Sequence, residues 1–329
     1  MRIAIDAMGG DNAPLEVVRG VSIASKQNSD VELVLIGDKE KIDNCFSQLQ
    51  TSKPDNVSII HTDVVVAMDD DPMVVMKEKN NSSMALGLKS LKDGGVDAFI
   101  SAGSTGALHA ASTLIVRKIK GIRRSAIASI LPFEKPILLI DSGANPVVTE
   151  DILNQWAIIG SAYVNEMLGI EKPKVGLLNN GTEECKGTPT MQAAYKLLKE
   201  NPYIDFIGNV ESKEIPNSPC DVLVTDGFTG NIALKLAEGM GAFMFSTLKT
   251  IFTTNFKTKM AYLLSKDQLK GLKKTFDASS YGGAPLLGIS KPVIKAHGSC
   301  KAENIAAAVS QAINYSNSQV ITRVMEAVK

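Results

Sequence analysis

Two short loops of this 329-residue chain carry the residue types that hold a small anion. Gly103-Ser104-Thr105-Gly106 lies between a predicted strand and a predicted helix, and Thr225–Asn231 repeats this arrangement before a helix predicted from about Ile232. Glycines let the backbone approach an anion, a helix N-terminus offers unpaired N–H groups, and hydroxyls add donors. One such loop is weak evidence because glycines also form turns. Two loops at equivalent strand ends favour a phosphate site.

The sequence lacks the motifs that usually hold a larger nucleotide. It contains no G-x-x-x-x-G-K-[ST] segment, and neither glycine loop has the G-x-G-x-x-G spacing. These absences argue against ATP or a dinucleotide and leave a small phosphate as the anion.

Cations beside glycines could neutralise that anion and move a proton. Lys295-Ala296-His297-Gly298 follows the apolar run Pro292–Ile294, and Lys186 lies in the loop NNGTEECKG. A histidine in polar, glycine-bearing sequence suits general acid–base chemistry. A strand-end histidine that bonds only to backbone is an equally good interpretation of His297. His61 and His109 fit structural roles better, because the first ends a strand and the second lies inside a helix.

Five carboxylates fall near the same loops, and they could be metal ligands or loop braces. They are Asp6, Asp11, Asp141, Glu183 and Asp226. Their spacing matches no calcium or zinc motif, so helix capping and loop bracing are the favoured roles. The four cysteines lie far apart without CxxC spacing, which indicates free thiols. We therefore expect neither a metal nor a cofactor.

Short apolar runs alternate with helix-length periodic segments along the chain. The predicted strands are Arg2–Asp6, Val31–Ile36, Val57–His61, Ala98–Ser101, Pro136–Asp141, Lys174–Leu178, Phe206–Gly208 and Val222–Thr225. The predicted helices between them include Pro14–Lys26, Ser104–Lys118, Thr149–Leu168 and Thr188–Leu198. Apolar strands separated by helices predict an α/β fold with a doubly wound, mainly parallel sheet. Six glycine-bearing loops follow these strands, and ligands bind at the carboxyl ends of such strands, so we expect one extended site.

Composition excludes several classes of protein. The chain is 44% hydrophobic and 21% charged, which is ordinary for a globular protein, and its zero net charge argues against nucleic acid as a partner. No run of eighteen apolar residues exists, and the N-terminus lacks the features of a signal peptide. The expectation is a cytoplasmic protein of one domain, residues 1–329.

Two segments are strongly basic. The run from Arg117 to Arg124 has five positive charges and no acid, so it suits either an acidic protein partner or a solvated helix end. Leu248–Phe276 repeats apolar residues every four positions, and it carries one acid, Asp267, against the seven lysines Lys249, Lys257, Lys259, Lys266, Lys270, Lys273 and Lys274. It predicts a protruding basic amphipathic helix that meets a membrane or partner surface, although an ordinary surface helix has the same pattern.

Taken together, the glycine-bearing blocks resemble the bacterial phosphate acyltransferase family of glycerophospholipid synthesis. The resemblance runs from Met1 to about Ser299 in family order, through MRIAIDAMGGDNAP, KEKNNSSM, SAGSTGAL, NNGTEECKG, VTDGFTGN, YGGAPLLG and KAHGS. It implies an isocitrate/isopropylmalate dehydrogenase-like, three-layer fold, a homodimer, and peripheral association with the inner face of the cell membrane. The implied reaction moves a fatty acyl group from acyl carrier protein to inorganic phosphate. The acyl phosphate would pass to a membrane glycerol-3-phosphate acyltransferase.

Site roles follow as hypotheses placed on these blocks. Candidate catalytic residues hold a charge, a proton or an amide beside the loops: His297, Lys295, Lys186, Asp226 and Asn231. Candidate contacts to phosphate or thioester are loop amides, hydroxyls and one asparagine: Gly10, Gly103, Ser104, Thr105, Gly106, Asn179, Gly181, Thr182, Gly227, Thr229 and Gly230. Candidate carrier-protein contacts are mostly basic: Lys77, Lys79, Asn80, Arg117, Lys118, Arg123 and Arg124. Candidate membrane contacts are apolar: Phe252, Phe256, Met260 and Leu264.

Other functions remain open at this point. Cys185 or Cys300 could form an acyl-enzyme, but phosphate is already nucleophilic near neutral pH, so orientation and an oxyanion site suffice. A phosphotransacylase that uses acyl-CoA would carry similar loops, and so would a dehydrogenase of related fold. A non-catalytic scaffold that binds carrier protein and membrane would not need so many polar glycine loops.

Overall fold

The computed structural model describes residues 1–275 and 281–328. Phe276 and the side chains of Lys270, Lys273 and Lys274, all part of the predicted basic helix, lie outside that description. The residues group into two compact units. Unit 1 comprises 1–128, 158–172 and 281–329, and unit 2 comprises 129–157 and 173–280. The expected single domain over 1–329 stays a prediction.

Strands and helices alternate along most of the chain. The strands are β1 (Arg2–Asp6), β2 (Glu32–Gly37), β3 (Val57–His61), β4 (Ala98–Ser101), β5 (Ala126–Pro132), β6 (Pro136–Ile140), β7 (Lys174–Asn179), β8 (Asp205–Glu211), β9 (Val222–Val224), β10 (Ala284–Leu287) and β11 (Val293–Lys295). The helices are α1 (Leu15–Gln27), α2 (Lys39–Gln48), α3 (Ser83–Lys92), α4 (Thr105–Ala111), α5 (Glu150–Leu168), α6 (Pro189–Glu200), α7 (Gly227–Thr253), α8 (Phe256–Thr275), α9 (Ala302–Asn317) and α10 (Val320–Ala327). Strand β5 and helix α5 each contain a boundary between the units.

Unit 1 is built on a mainly parallel sheet with the strand order β3-β2-β1-β4-β11-β10-β5. The five strands from β3 to β11 are parallel, and β10 runs antiparallel to β11 and β5. Side chains of β1, β2 and β4 are almost wholly buried, as expected for strands with both faces covered by helices. Gly20 brings α1 against α9, since a Cβ there would lie 2.6 Å from Ile305 Cβ.

Unit 2 contains the parallel strand order β6-β9-β7-β8. Leu223 of β9 pairs with Leu139 on one side and Gly176 on the other. Its apolar cluster draws on several elements: Leu131, Ile137, Leu139, Leu178, Val210, Ile215, Cys220 and Leu223. Each such large side chain removed from water stabilises the fold by roughly 1.5–3 kcal/mol. The predicted α/β class with a mainly parallel, helix-flanked sheet is confirmed.

Several predicted boundaries are wrong in ways that bear on the site. The helix predicted to begin near Ile232 begins at Gly227, so the glycine loop forms its first turn. The helix predicted over Ser104–Lys118 ends in a π turn at Val116, and Arg117 follows with φ of 75°. The segment Leu248–Phe276 is divided between α7 and α8 at Thr254–Asn255. Within the described residues, no helix is long and apolar enough to cross a membrane.

Candidate active site

Three loops meet at one edge of unit 1, because β1, β4 and β11 are adjacent parallel strands. The amide of Asp11 donates to the carbonyl of Gly298 at 2.8 Å. Gly10 has φ of +104°, and a Cβ there would lie 2.9 Å from Ala102 Cβ and 3.0 Å from Gly298 O, so only glycine fits. The loops Asp6–Asn12, Ser101–Gly106 and Lys295–Cys300 are called the unit 1 edge below.

Asn12 ties the first and third loops of this edge together. Its Nδ2 donates to the carbonyls of Ser299 at 3.1 Å and Cys300 at 3.2 Å. Neither Asn12 nor Ser299 is among the predicted site residues. Asn12 lies in the family block MRIAIDAMGGDNAP, but its partner Ser299 is 287 residues away in sequence, and no local pattern predicts such a pairing.

The glycine loop after β4 provides the start of helix α4. Ser104 is the N-cap, and its Oγ accepts from the amide of Ala107 at 3.5 Å. Thr105 and Gly106 are exposed in the first turn, where amides have no partner within the helix. Gly103 differs, since its amide donates to Ser101 Oγ at 3.0 Å. The amides open to an oxyanion are therefore those of the first turn, beside the hydroxyl of Thr105.

Lys295 is a buried cation at the unit 1 edge. Its side chain is buried, and the ammonium donates to the carbonyl oxygens of Ala102 at 3.3 Å and of Ala296. Burial lowers the pKa of Lys295 to about 8, while Cys300, Asp11 and Asp6 act in the opposite direction. At neutral pH the group is mostly a cation, so it adds positive potential at the edge. Direct contact with phosphate stays a prediction.

His297 is exposed at the same edge, and its orientation is set locally. Its Nδ1 lies 3.3 Å from the amide of Ser299 and 2.9 Å from Ser299 Oγ. Because a backbone amide can only donate, Nδ1 is the acceptor and Nε2 carries the proton of the neutral ring. Nε2–H is then a donor suited to a carbonyl oxygen. The alternative interpretation, a strand-end histidine bonded to backbone, also agrees with the structure, because Nδ1 accepts from the amide of Ser299.

Cys185 and Cys300, the two cysteines considered as nucleophiles, differ in exposure. Cys300 is buried, and burial raises the pKa of its thiol, whereas Cys185 is exposed on the loop after β7. A thiol whose pKa is raised is a poor nucleophile at neutral pH. The environment of Cys300 therefore does not support an acyl-enzyme at this residue.

The residues proposed to contact a carrier protein are either half-buried or exposed. Lys79 pairs with Asp70 at 2.5 Å, and this hydrogen bond lowers the pKa of the Asp70 carboxyl. The ammonium of Lys118 donates to the carbonyl of Arg123. Both cations thus have partners within unit 1. The remaining members of the set are exposed: Lys77, Asn80, Arg117, Arg123 and Arg124.

A buried carboxylate organises the loop after β6 in unit 2. Asp141 Oδ1 accepts from the amides of Gly143 and Ala144, both at 3.1 Å, and Oδ2 accepts from the amide of Asn145 at 2.7 Å. The side chain of Asn145 adds a fourth donor at 2.9 Å. Four donors to one buried carboxylate describe a loop brace, which agrees with the role favoured from the sequence.

Helix α7 begins against this brace. Asp226 is its N-cap, accepting from the amide of Thr229 and from its hydroxyl, both at 2.8 Å. The amide of Gly227 donates to Asn145 O at 2.8 Å, and that of Gly230 to Asp226 O at 2.9 Å. A Cβ at Gly230 would lie 1.9 Å from the carbonyl oxygen of Asp141. The amides of Gly227, Thr229 and Gly230 therefore have partners within unit 2, and both glycines permit close packing.

The loop after β7 is fixed by two asparagines. Asn179 Nδ2 donates to Lys186 O at 3.2 Å and to Asn209 Oδ1 at 3.1 Å, while Asn209 Nδ2 donates to Glu183 O at 2.8 Å. Lys186 itself lies 3.9 Å from Glu183, a loose and largely exposed pair. Strands β6, β7 and β9 are parallel neighbours, so this loop shares an edge of unit 2 with the loops after β6 and β9.

Other predicted members of the unit 2 set are placed as follows. Thr182 is exposed, Gly181 is buried against Lys186, and Asn231 contacts the position where Gly143 would carry a Cβ, at 3.5 Å. The side chain of Asn179 is engaged in the bracing described above. Phosphate binding by this set stays a prediction.

The four predicted membrane residues do not share one environment. Phe256, Met260 and Leu264 of α8 are exposed. Phe252 belongs to α7, and its ring lies 5.8 Å from that of Tyr262. The four-residue spacing predicted one continuous face, but the break at Thr254–Asn255 folds Phe252 onto α8.

Comparison with known proteins extends over nearly the whole chain. Residues 1–323 match a family model described as "Fatty acid synthesis protein". A phosphate acyltransferase of Caldanaerobacter subterraneus is 44% identical over 330 residues, covering 100% of this chain and 98% of that protein. The chain belongs to the phosphate acyltransferase family. A phosphate acyltransferase of Streptococcus thermophilus is 43% identical, covering 99% of this chain and 97% of that protein.

Membership makes the protein an acyltransferase, and the resemblance seen in the sequence is confirmed. Among solved structures, a phosphotransacetylase from Streptococcus pyogenes aligns with a TM-score of 0.63 at 19% identity, covering 100% of this chain and 94% of that one. At this identity the likeness concerns the fold. Family membership, rather than this likeness of fold, favours an enzyme over the scaffold alternative.

Proposed function

We propose that this phosphate acyltransferase moves a fatty acyl group from acyl carrier protein to inorganic phosphate. The products are an acyl phosphate and the free carrier thiol, and the acyl phosphate enters glycerophospholipid synthesis through a membrane glycerol-3-phosphate acyltransferase. The observation that carries the proposal is the match to phosphate acyltransferases over the whole chain. The unit 1 edge supplies a matching set of donors.

The proposed step joins an oxygen of phosphate to the thioester carbonyl carbon and breaks the carbon–sulfur bond. Negative charge develops on the carbonyl oxygen as phosphate attacks, and we expect Nε2–H of His297 to donate to it, because Nδ1 is already engaged as an acceptor. The sulfur leaves as a thiolate that takes up a proton. No acyl-enzyme is needed, because holding phosphate and thioester side by side replaces a bimolecular encounter.

The start of α4 suits the phosphate in this scheme. First-turn amides at Thr105 and Gly106 point along the helix axis, and the helix dipole favours a negative charge there. The buried ammonium of Lys295 adds positive potential from below. Both features stabilise an anion without themselves taking part in proton transfer.

Exposed arginines in unit 1 favour a protein donor. Arg117, Arg123 and Arg124 are exposed within eight residues of chain, and no acid interrupts the run from Arg117 to Arg124. We expect them to accelerate encounter with an acidic carrier protein through charge steering, an effect that weakens with salt. A coenzyme A donor would depend less on such a surface.

Helix α7 supports the proposed homodimer. Phe228, Ile232, Leu236, Met240 and Phe243 recur every three or four residues, and they are 63%, 53%, 64%, 57% and 66% exposed. A row of this length without a charged member is the kind of face that two copies bury against each other. Sedimentation velocity that gave only a monomer at micromolar concentration would contradict this part of the proposal.

Helix α8 supports the proposed peripheral membrane contact. Phe256 and Leu264 are 78% and 82% exposed, and lysines accompany them. We expect a Phe256→Glu/Leu264→Glu variant to sediment less with anionic liposomes than wild type, with Tyr203→Glu as the matched control, since Tyr203 is also exposed in unit 2. Equal sedimentation of all three proteins would contradict membrane contact by α8.

Thiol release tests the reaction itself. Purified protein is supplied with palmitoyl-acyl carrier protein or palmitoyl-CoA, with and without phosphate, and free thiol is followed by a colorimetric reagent. The proposal expects phosphate-dependent release, faster with the carrier-protein donor. An Arg123→Glu/Arg124→Glu variant should raise KM for that donor about tenfold at low salt, whereas Lys26→Glu, at an exposed position on α1, should not. Release that ignores phosphate would refute the proposed reaction.

A further inference from the structure

Asp6 is a buried carboxylate at the end of β1 that the proposed reaction does not use. Its side chain is 3% exposed. Oδ2 accepts from the hydroxyl of Ser101 at 2.7 Å, and Oδ1 accepts from the amide of Met8 at 3.1 Å. The hydroxyl of Ser83, at the start of α3, lies near this carboxylate and favours its charged form. The two donors come from β4 and from the loop after β1, so the carboxylate joins these two segments.

Ser101 connects this carboxylate to the glycine loop after β4. Its hydroxyl donates to Asp6 and accepts from the amide of Gly103 at 3.0 Å. Since one hydroxyl proton has one direction, donation to Asp6 leaves the oxygen lone pairs of Ser101 facing the Gly103 amide. The chain of bonds thus sets the backbone immediately before Ser104, where α4 begins.

The loop after β1 rests on the same group. A Cβ at Gly9 would lie 2.7 Å from Asp6 Oδ2 and 2.7 Å from the Gly103 amide nitrogen. Gly9 therefore lets the two loops and the carboxylate come together in a space that has no room for a methyl group. A carboxylate that is 3% exposed and repels an anion is unsuited to contact phosphate itself.

We propose that Asp6 and Ser101 form a positioning pair, which holds the Gly103–Gly106 loop in the conformation that binds the phosphate substrate. The inference rests on the proposed function and deepens it, since it assigns a role in phosphate affinity to two residues outside the predicted site. The pairing depends on position 6 accepting hydrogen bonds and donating none. Only then does the Ser101 hydroxyl point its proton at Asp6 and leave its oxygen to accept from the Gly103 amide.

The hydrogen-bond pattern, rather than burial, favours a pure acceptor at position 6. Burial raises the pKa of Asp6, and the hydroxyls of Ser83 and Ser101 with the amides of Met8 and Gly9 oppose that rise. Lys295 on β11 is the nearby cation, and Asp6 in turn raises the pKa of that lysine. Every neighbour that bonds to Asp6 is a donor, so protonation would break the pattern.

The test compares three variants by steady-state thiol release. Ser101→Ala removes the hydroxyl between carboxylate and loop, and Asp6→Asn keeps the size but offers a donor where an acceptor is needed. Ser25→Ala is the matched control, because Ser25 is also buried in unit 1 and donates to a side-chain oxygen, that of Asn56 at 2.5 Å. Asn56 precedes β3, at the opposite ends of the strands.

We expect Ser101→Ala and Asp6→Asn each to raise KM for phosphate about tenfold, which is the worth of one hydrogen bond to a charged group. KM for the acyl donor should change less than twofold, and Ser25→Ala should change neither constant. Thermal unfolding of all three variants reports on the fold. A phosphate KM within twofold of wild type in a folded Ser101→Ala would overturn the positioning role.

Phosphate-induced thermal stabilisation separates this inference from the proposed reaction. If wild type releases no thiol yet is stabilised by phosphate, the reaction is wrong, and the midpoint of stabilisation in Ser101→Ala still decides the positioning role. If wild type neither reacts nor binds phosphate, both are wrong. If Asp6→Asn fails to fold, Ser101→Ala alone decides, because removing one hydroxyl leaves the carboxylate with its other donors.

Discussion

Replacement of Lys295 by methionine should change how the stability of the protein depends on pH. The lysine is 8% exposed, and burial lowers its pKa from 10.5 to about 8. The folded state therefore releases this proton at lower pH than the unfolded chain does. Between these two values the unfolded state binds more protons, so stability rises with pH. The charged form costs stability at neutral pH, and that cost disappears as the solution becomes alkaline.

The magnitude follows from the two pKa values. With a folded value of about 8 and an unfolded value of 10.5, Lys295 adds roughly 2–3 kcal/mol to the free energy of unfolding between pH 7 and pH 10. Other lysines, tyrosines and cysteines titrate in this window as well. The quantity to compare is therefore the difference between wild type and Lys295→Met, a variant of similar volume without a titratable group.

Urea unfolding at pH 7, 8, 9 and 10 measures this difference. Over the series, we expect the free energy of unfolding of wild type to rise by about 2–3 kcal/mol relative to that of Lys295→Met. The absolute stability of the variant is a separate matter, since the carbonyls of Ala102 and Ala296 lose a donor. Parallel pH profiles for the two proteins would refute the assignment of a buried, mostly charged lysine at neutral pH.

Three further changes give defined outcomes. Gly230→Ala places a Cβ 1.9 Å from the carbonyl oxygen of Asp141 and should lower the free energy of unfolding by about 2 kcal/mol or more. Gly239→Ala, on the same helix, meets nothing within 4 Å and should raise it by up to about 1 kcal/mol. Thermal unfolding measures both changes. A stable Gly230→Ala would show that α7 begins elsewhere. His297→Gln should lower kcat about a hundredfold with little change in phosphate KM, and full turnover would remove this histidine from the mechanism. Asp141→Asn puts an NH₂ donor where the carboxylate now accepts from four donors, and it should lower the free energy of unfolding by about 1–3 kcal/mol. Urea unfolding measures this loss, and unchanged stability would contradict the bracing role.

Sequence patterns were sufficient for the elements that depend on local apolar runs. Strands β1, β3 and β4 have the predicted bounds. Burial of β1 and β4 leaves an almost unbroken hydrophobic signal in five or fewer residues, whereas β3 is only partly buried and was predicted from its apolar run alone. Strands β5 and β10 were missed. The four residues of β10 contain a proline and follow two glycines, and their strand conformation comes from antiparallel pairing with β11 and β5.

The site was predictable as a set of loops but not in its detail. Glycines at 227 and 230 indicate a loop by local propensity, yet both lie in α7 because the Asp141 loop presses against the helix. Lys79 and Lys118 were predicted as carrier-protein contacts, and each has a partner within unit 1 that the spacing of charges did not reveal. Burial of Lys295 depends on three strand ends that lie far apart in sequence. Such contacts are decided by tertiary packing, which no single window of sequence contains.

Phosphorus-31 NMR of a reaction mixture tests acyl transfer to phosphate most directly, because it observes the product rather than the released thiol. Wild-type protein, palmitoyl-acyl carrier protein and inorganic phosphate should produce an acyl phosphate resonance in proportion to the carrier thiol released. Thiol release without that resonance, with free fatty acid as the only acyl product, would show a hydrolase and contradict the proposed transfer.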